Sequence, residues 1–300
     1  MAAKPHSQEQ FTKGRNLWWH DDYLDLLARR LELKSRHSVL ELGAGIGHWT
    51  EPMMARCAAG ASFTVVDKEA VWVSELEARF ADRPGFKALQ ADVIDLRALS
   101  GPYDLVTCQT VLMHVADVPG VLTQARALLE PGGMLLLVEP NNFLNRLPIT
   151  SVTASLSPAE FGEVAAFWWA FERGREKLGL GREWIAELLP KLIVDAGFER
   201  LQVFQNDRAW PEFPPYDSPE RSAAAAESCC ATTSQGADDD WRDEARRFVL
   251  AGGVDQSTCE RALELIEEID RRTAQALKAG TYSYSGVGTL CIFAARNPLR

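Results

Sequence analysis

The chain has 300 residues and an ordinary globular composition, with 46% hydrophobic and 25% charged residues. This balance supplies enough apolar surface for a sizeable core and excludes wholesale disorder. The formal net charge of −10 disfavours nucleic acid and anionic membranes as partners. No apolar run approaches the roughly 20 residues that span a bilayer, and the first ten residues lack an apolar signal core, so we expect a cytoplasmic protein.

The cysteines bear on metals and disulfides. Six are present, at positions 57, 108, 229, 230, 259 and 291. None forms a C-x-x-C pair and no histidine cluster accompanies them, so the spacing supports neither a zinc site nor a disulfide framework. We therefore expect no bound metal.

Short apolar runs alternate with helical segments, which is the pattern of βα units and a parallel sheet. The predicted strands are residues 39–42, 63–66, 86–90, 103–108, 134–139, 201–204 and 289–295. This order predicts an α/β fold with a doubly wound, mostly parallel, Rossmann-like sheet of seven strands, to which helical insertions are added.

Helix signals separate the later strands. Val118 to Leu129 show helical spacing, and Ser157 to Glu160 form a capping-box signature that begins an inserted helix. Residues 184–196 predict a core helix that Pro190 must kink or restart. A longer helix is predicted to be capped by Ser257 with Glu260 and to end at Gly280.

A glycine-rich turn follows the first strand directly, in the sequence Glu41-Leu42-Gly43-Ala44-Gly45-Ile46-Gly47. Such a turn lets a ligand approach the backbone closely. The dinucleotide pattern G-x-G-x-x-G would need glycine where His48 stands, which disfavours a nicotinamide cofactor. Asp67 ends the second strand twenty residues after Gly47, where its carboxylate can accept ribose hydroxyls. Asp92 follows the third strand.

Together with the blocks YDLVTCQTVLMHV and LLEPGGMLLLVEP, these features resemble the class I S-adenosylmethionine-dependent methyltransferases over residues 39–140. The resemblance implies S-adenosylmethionine as cofactor. It places the methionine portion over the three glycines, with Glu41 orienting the loop or contacting the amino group through water. It further implies ribose contacts from Asp67 and Lys68 and adenine contacts from Asp92 and Val93. Gln109 either contacts the methionine portion or caps the next helix.

Candidate acceptor residues lie at the predicted sheet edge and near the N-terminus. His114 could act as a general base or be a structural histidine at a helix start. Asn141 and Asn142 could bind an acceptor or form an Asx turn. Trp19 and Tyr23, spaced as on a helix, could line an aromatic acceptor pocket or serve core packing.

Tyr282 and Tyr284 precede the last strand and share one side if the chain is extended there. They are further candidate catalytic groups, although their side could face solvent, core or ligand.

The expected organisation is a cofactor-binding core interrupted by insertions. Residues 1–37 are predicted to form N-terminal lid helices, 38–140 the S-adenosylmethionine-binding core, and 141–182 a helical insertion. Residues 183–206 complete a core helix and sixth strand, 207–287 form a second insertion or lid, and 288–300 carry the final strand.

The sequence therefore predicts a methyltransferase that modifies an oxygen, nitrogen or carbon of a small metabolite, as a monomer or homodimer. One alternative keeps the cofactor but transfers its aminocarboxypropyl arm or closes a ring on it, releasing methylthioadenosine. A macromolecular methyltransferase is disfavoured by the negative charge. A third alternative is a non-catalytic module that binds S-adenosylmethionine.

Overall fold

The computed structural model describes residues 18–217, 239–286, 288 and 290–299. These residues fall into two compact units. The first, here called the sheet unit, comprises residues 18–140, Ile185–Asp207 and 290–299. The second, the helical unit, comprises Asn141–Trp184 and the described residues from 208 to 288. The adjacent Cys229 and Cys230 and the predicted strand start at Thr289 lie outside the described residues.

The sheet has seven strands, as predicted. They are β1 (Ser38–Leu42), β2 (Ser62–Asp67), β3 (Phe86–Gln90), β4 (Tyr103–Gln109), β5 (Leu129–Pro140), β6 (Glu199–Gln205) and β7 (Leu290–Arg296). Their order is β3-β2-β1-β4-β5-β7-β6. β7 runs antiparallel to β5 and β6, whereas the other neighbouring pairs are parallel. The doubly wound, mostly parallel sheet predicted from the sequence is confirmed.

The α-helices of the described residues lie before and between these strands. They are α1 (Asp21–Arg30), α2 (Thr50–Arg56), α3 (Ala70–Arg79), α4 (Val118–Leu128), α5 (Asn142–Asn145), α6 (Pro158–Lys177), α7 (Leu189–Asp195), α8 (Asp239–Gly252) and α9 (Gln256–Ala279). Pro190 lies in the first turn of α7, after a separate 3₁₀ turn at Ile185–Glu187, so the chain restarts a helix there. None of the helices so described is long and apolar enough to cross a membrane.

The inner strands of the sheet are buried on both faces, whereas the edge strands β3 and β6 are largely exposed. Alternate residues of each strand point to opposite sides. On one face, Leu40, Val106 and Leu137 pack with α4 and α7. On the other, Val39, Leu105 and Leu136 pack with α1 and α2. The alternation places Glu41, Thr107 and Gln109 on the side of α1 and α2.

The helical unit is held by close contact between α6 and α8. A Cβ on Gly174 would lie 1.7 Å from the carbonyl oxygen of Phe248, and one on Gly252 would lie 2.0 Å from that of Ala170. Only glycine fits at these two crossings. The predicted capping box of α6 is present, since Ser157 accepts from the Glu160 amide and the Glu160 carboxylate accepts from the Ser157 amide.

One predicted helix start was wrong. The N-cap of α9 is Asp255, whose Oδ1 accepts the Thr258 N–H at 3.0 Å and the Ser257 hydroxyl at 2.6 Å. Ser257 thus lies inside the helix, because the aspartate two residues earlier competes successfully for the free backbone donors. Gly280 ends the helix as predicted, with a φ of +66°.

Candidate active site

The glycine turn after β1 has a backbone that side chains would disfavour. Gly43, Gly45 and Gly47 have φ values of +65°, +53° and +88°. The turn is tied to β2 by a hydrogen bond from the Ala44 amide to the Val66 carbonyl oxygen at 3.0 Å. Three residues with positive φ at alternate positions favour glycine and form a tight turn at the carboxyl end of β1, where ligands bind in open α/β sheets.

Asp67 lies at the end of β2, beside this turn, and is buried. Its Oδ2 accepts the Gly45 N–H at 2.9 Å, and its Oδ1 accepts the Glu69 N–H at 3.0 Å. An ionised carboxylate has about four lone-pair sites, so each oxygen keeps acceptor capacity after these bonds. The carboxylate is therefore fixed in place and can accept further hydroxyl hydrogens.

Glu41 is the second acidic group at the turn and is almost fully buried. Its Oε2 makes no hydrogen bond of good geometry to the residues that the structure describes, although the Thr50 side chain lies close enough to favour the charged form. Burial raises the pKa of its carboxyl from 4.5 to about 8, the Thr50 side chain opposes this shift, and the negative charge of Asp67 adds to it. A buried acceptor without a donor is costly, and a positively charged or N–H-bearing ligand would satisfy it.

The chain after β4 contains a residue in an unusual conformation. Gln109 is buried at the carboxyl end of β4, and the next residue, Thr110, has a φ of +54°. Positive φ is uncommon for a β-branched residue and requires support from its surroundings. The following residue, Val111, packs against Gly43, where a Cβ would lie only 2.6 Å from Val111 Cγ2.

That support comes from Glu139 on β5. This fully buried carboxylate accepts the N–H groups of Val111 at 2.9 Å, Leu112 at 2.8 Å and Met113 at 3.3 Å. Burial raises its pKa from 4.5 to about 7, whereas the three amides lower it. Glu139 thus fixes the turn that follows β4.

The residues predicted to contact adenine and ribose lie at the neighbouring strand ends. Asp92 is exposed after β3, and its Oδ1 accepts the Ile94 N–H at 3.1 Å, while Val93 is half-buried. Lys68 is exposed, and its carbonyl oxygen accepts from the Gln90 side chain at 3.0 Å. The parallel strands β1 to β4 therefore bring all the predicted cofactor residues to one edge of the sheet.

The other predicted residues of the sheet unit have distinct surroundings. His114 is exposed at the end of the short 3₁₀ turn after β4. Trp19 is buried, its ring lies 5.9 Å from that of Trp49, and it stacks on Tyr23 at 6.3 Å. The Tyr23 hydroxyl donates to the Gln205 carbonyl. Trp19 and Tyr23 thus take part in packing, and their contact with an acceptor stays a prediction.

The remaining predicted residues belong to the helical unit. Asn141 caps α5 by accepting the Leu144 N–H at 3.2 Å, and Asn142 accepts from the Asn145 side chain at 3.3 Å. Tyr282 is buried and Tyr284 is half-buried. Burial and the negative charge of Glu212 raise the pKa of both phenols. No group of three metal-binding side chains is found within the described ranges.

Sequence reasoning missed Thr110 and Glu139. Nothing in the sequence indicates that a threonine adopts positive φ. Glu139 did carry a signal, since it ends the apolar run MLLLV, and a carboxylate in a strand buried on both faces requires nearby donors.

Comparisons with known proteins identify the family and the fold. A family model described as a methyltransferase domain matches residues 16–203. The chain is 32% identical over 198 residues to the ubiquinone biosynthesis O-methyltransferase of Xanthomonas euvesicatoria pv. vesicatoria (strain 85-10), a match covering 61% of this chain and 69% of the relative. It is 34% identical over 113 residues to a hybrid PKS-NRPS synthetase of Penicillium citrinum, covering 36% of this chain and only 3% of the synthetase.

Among solved structures, a candidate methyltransferase from Bacillus halodurans C-125 aligns with a TM-score of 0.51 and 18% identity, covering 92% of this chain and 99% of that one. At this identity the likeness concerns the fold. The sheet order and the glycine turn define a class I methyltransferase fold. The chain belongs to the methyltransferase-domain family.

Proposed function

We propose that the chain binds S-adenosylmethionine at the glycine turn and transfers its methyl group to a small-molecule acceptor. One observation carries this proposal: the buried Glu41 oxygen without a described partner lies at the turn where three glycines adopt positive φ. The family resemblance implies that Glu41 orients the loop or contacts the amino group of the cofactor through water, and such a contact would satisfy this oxygen. The residues present therefore fit the cofactor.

Each predicted residue then has a separate binding role. Asp67 accepts the ribose hydroxyls while its bonds to Gly45 and Glu69 hold it in place. Asp92 and the Val93 amide recognise the adenine, Lys68 lies beside the ribose, and Gln109 contacts the methionine portion. When bound, the cofactor supplies an electrophilic methyl group on a positively charged sulfur.

The contribution of the protein to the reaction is chiefly positioning and exclusion of water, which can supply much of the acceleration. His114 is the candidate general base, because it belongs to the same unit as the glycine turn and an imidazole side chain can take up and release a proton. The raised pKa values of Tyr282 and Tyr284 disfavour phenolates at neutral pH. These tyrosines suit hydrogen-bond donation better than proton abstraction.

We propose a hydroxyl group as the first acceptor to examine. This rests on the relative from Xanthomonas, whose name specifies O-methyl transfer. In this proposal Asn141, Asn142, Trp19 and Tyr23 contribute to acceptor selection.

Incubation with S-adenosylmethionine, first alone and then with a panel of hydroxyl, amine and carboxylic acid metabolites, tests the proposal. Mass spectrometry should detect S-adenosylhomocysteine and a product 14 Da heavier than its acceptor, the mass of one added CH₂. A matched Asp67→Ala sample serves as the control. Methylthioadenosine above the no-enzyme background would instead indicate loss of the aminocarboxypropyl arm and would refute methyl transfer.

A further inference from the structure

A carboxylate that the methyl-transfer chemistry does not use lies near the carboxyl end of β5, an interior strand of the sheet. Glu139 is the penultimate residue of β5 and is fully buried, preceded by the buried apolar residues Met134 to Val138. A charge in such surroundings carries a large desolvation penalty unless hydrogen bonds compensate for it. Its position therefore requires an explanation in terms of its partners.

All of the backbone partners of Glu139 come from one turn. Its Oε1 accepts from Val111 and Leu112 and its Oε2 from Met113, while the Cys108 Sγ lies 3.7 Å from Oε1. Three consecutive amides on one carboxylate fix the direction of the chain that leaves β4. Charge-assisted bonds of this kind are stronger than those between neutral groups.

The same turn includes the unusual backbone of Thr110. A β-branched residue at positive φ persists where the surrounding structure over-determines it. The Thr110 amide donates to the Val138 carbonyl oxygen at 2.8 Å on one side, and Glu139 holds the next three amides on the other. β5 thus restrains the turn at four consecutive amides.

The restrained turn contacts the glycine turn directly. Val111 fills the space beside Gly43 so closely that a Cβ on that glycine would lie 2.6 Å from Cγ2 and 3.1 Å from Cγ1. Gln109, predicted to contact the methionine portion, immediately precedes the same strained residue. A continuous chain of contacts therefore runs from Glu139 through Val111 to Gly43.

We propose that Glu139 is a positioning residue that holds the Gln109–Met113 turn against Gly43 and thereby shapes the methionine end of the cofactor site. The proposal rests on the proposed function, since it assigns a role in binding S-adenosylmethionine. Glu139 acts through Val111 and the backbone.

Two substitutions of Glu139 and one control test this role. Glu139→Gln keeps the shape and one acceptor oxygen, whereas Glu139→Leu removes all three hydrogen bonds. Ile193→Val on α7 is the control, because it loosens the hydrophobic cluster on the same face of the sheet and removes none of the hydrogen bonds to Glu139. Glu139→Gln also keeps the test valid if the leucine variant does not fold.

Two measurements are needed on each folded variant. The first is the dissociation constant of S-adenosylmethionine by calorimetry, and the second is amide hydrogen exchange of residues 111–113 in ligand-free protein. We expect Glu139→Gln to weaken binding about tenfold, the equivalent of one lost charge-assisted hydrogen bond, and Glu139→Leu to weaken it further. Exchange at the three amides should accelerate in the same order, with Ile193→Val unchanged in both.

Wild-type affinity in folded Glu139→Gln would overturn the proposal, whether or not the amides exchange faster. An equal loss of affinity in Ile193→Val would also overturn it, because the effect would then follow stability alone. If the wild-type protein binds no S-adenosylmethionine, the proposed function itself fails, and that outcome is distinguished by the wild-type measurement.

Discussion

Gly43 and Val111 approach each other so closely that a Cβ on Gly43 would lie 2.6 Å from Val111 Cγ2. Carbon atoms in contact prefer separations of about 3.5–4.0 Å. Gly43 also has a φ of +65°. Its lack of a side chain is thus required by the backbone conformation and by the space available, and these two requirements can be separated by experiment.

Gly43→Ala should be more damaging than the same change at Gly60. Gly60 has a φ of +77°, yet a Cβ there would meet nothing within 4 Å, so alanine introduces backbone strain alone. We expect Gly60→Ala to lower the free energy of unfolding by about 1–2 kcal/mol, and Gly43→Ala by roughly 1–3 kcal/mol more. Urea denaturation measures both values.

The double variant Gly43→Ala with Val111→Ala isolates the contact. Removing the Val111 methyl groups should restore part of the additional loss, which a double-mutant cycle reports as a favourable coupling. Equal losses of unfolding free energy in Gly43→Ala and Gly60→Ala would show that the glycine turn deforms easily at Gly43.

Cofactor binding should release a proton. Glu41 has a pKa raised to about 8 by burial, so it is largely protonated at pH 7 in the ligand-free protein. A cationic amino group bound at its free oxygen would favour the carboxylate and lower this pKa. Calorimetry at pH 7 in buffers of different ionisation enthalpy should therefore detect release of close to one proton per cofactor bound.

Glu41→Gln is the control for this effect, since it cannot ionise. Binding should be weaker in this variant, and the heat should no longer depend on the buffer. Proton release of the same size in the folded variant would assign the ionisation to another group.

Stability should fall as the pH rises through neutrality. The pKa values of Glu41 and Glu139 are raised from 4.5 to about 8 and about 7, so the folded protein holds more protons than the unfolded chain between these limits. Each group then lowers the free energy of unfolding by up to about 1.4 kcal/mol per pH unit within its own window. The stabilising effect of the neutral carboxyl is fully present below pH 4.5 and lost above the folded pKa.

Differences between variants separate these two groups from the rest of the protein. Relative to wild type, Glu139→Gln should flatten the decline between about pH 5 and 7, and Glu41→Gln should flatten it up to about pH 8. Denaturation curves at unit intervals of pH check this. Parallel curves for wild type and both variants would contradict the raised pKa values.

The local sequence was sufficient for the strands and most helix ends. β3 lies at the predicted residues, and Ser157 and Gly280 begin and end helices where their side-chain chemistry requires. β5 begins at Leu129, five residues earlier than predicted. The later start was predicted because Pro131 and the two glycines after it are typical of a turn. Leu129 instead pairs with Tyr103 before an irregularity in the register.

The tertiary contacts of the site could be predicted less well from the sequence. The glycine turn and Asp67 are recognisable because their function depends on residue type and spacing along the chain. The strained Thr110 and the hold of Glu139 on three amides depend on which strand lies beside which, and no local pattern encodes that pairing. For the same reason, the sequence left Asn141 open between acceptor binding and an Asx turn, whereas the structure shows its side chain capping α5.

Cofactor binding at Asp67 is tested most directly by the affinity of Asp67→Ala for S-adenosylmethionine, with Asp82→Asn as a control because Asp82 is an exposed acidic residue after α3. Wild type and Asp82→Asn should bind one cofactor per chain with equal affinity. Asp67→Ala should bind more weakly by about 1–3 kcal/mol, the loss of charged hydrogen bonds to the ribose. Unchanged affinity in a folded Asp67→Ala protein, or no binding by the wild type, would contradict the proposed cofactor site.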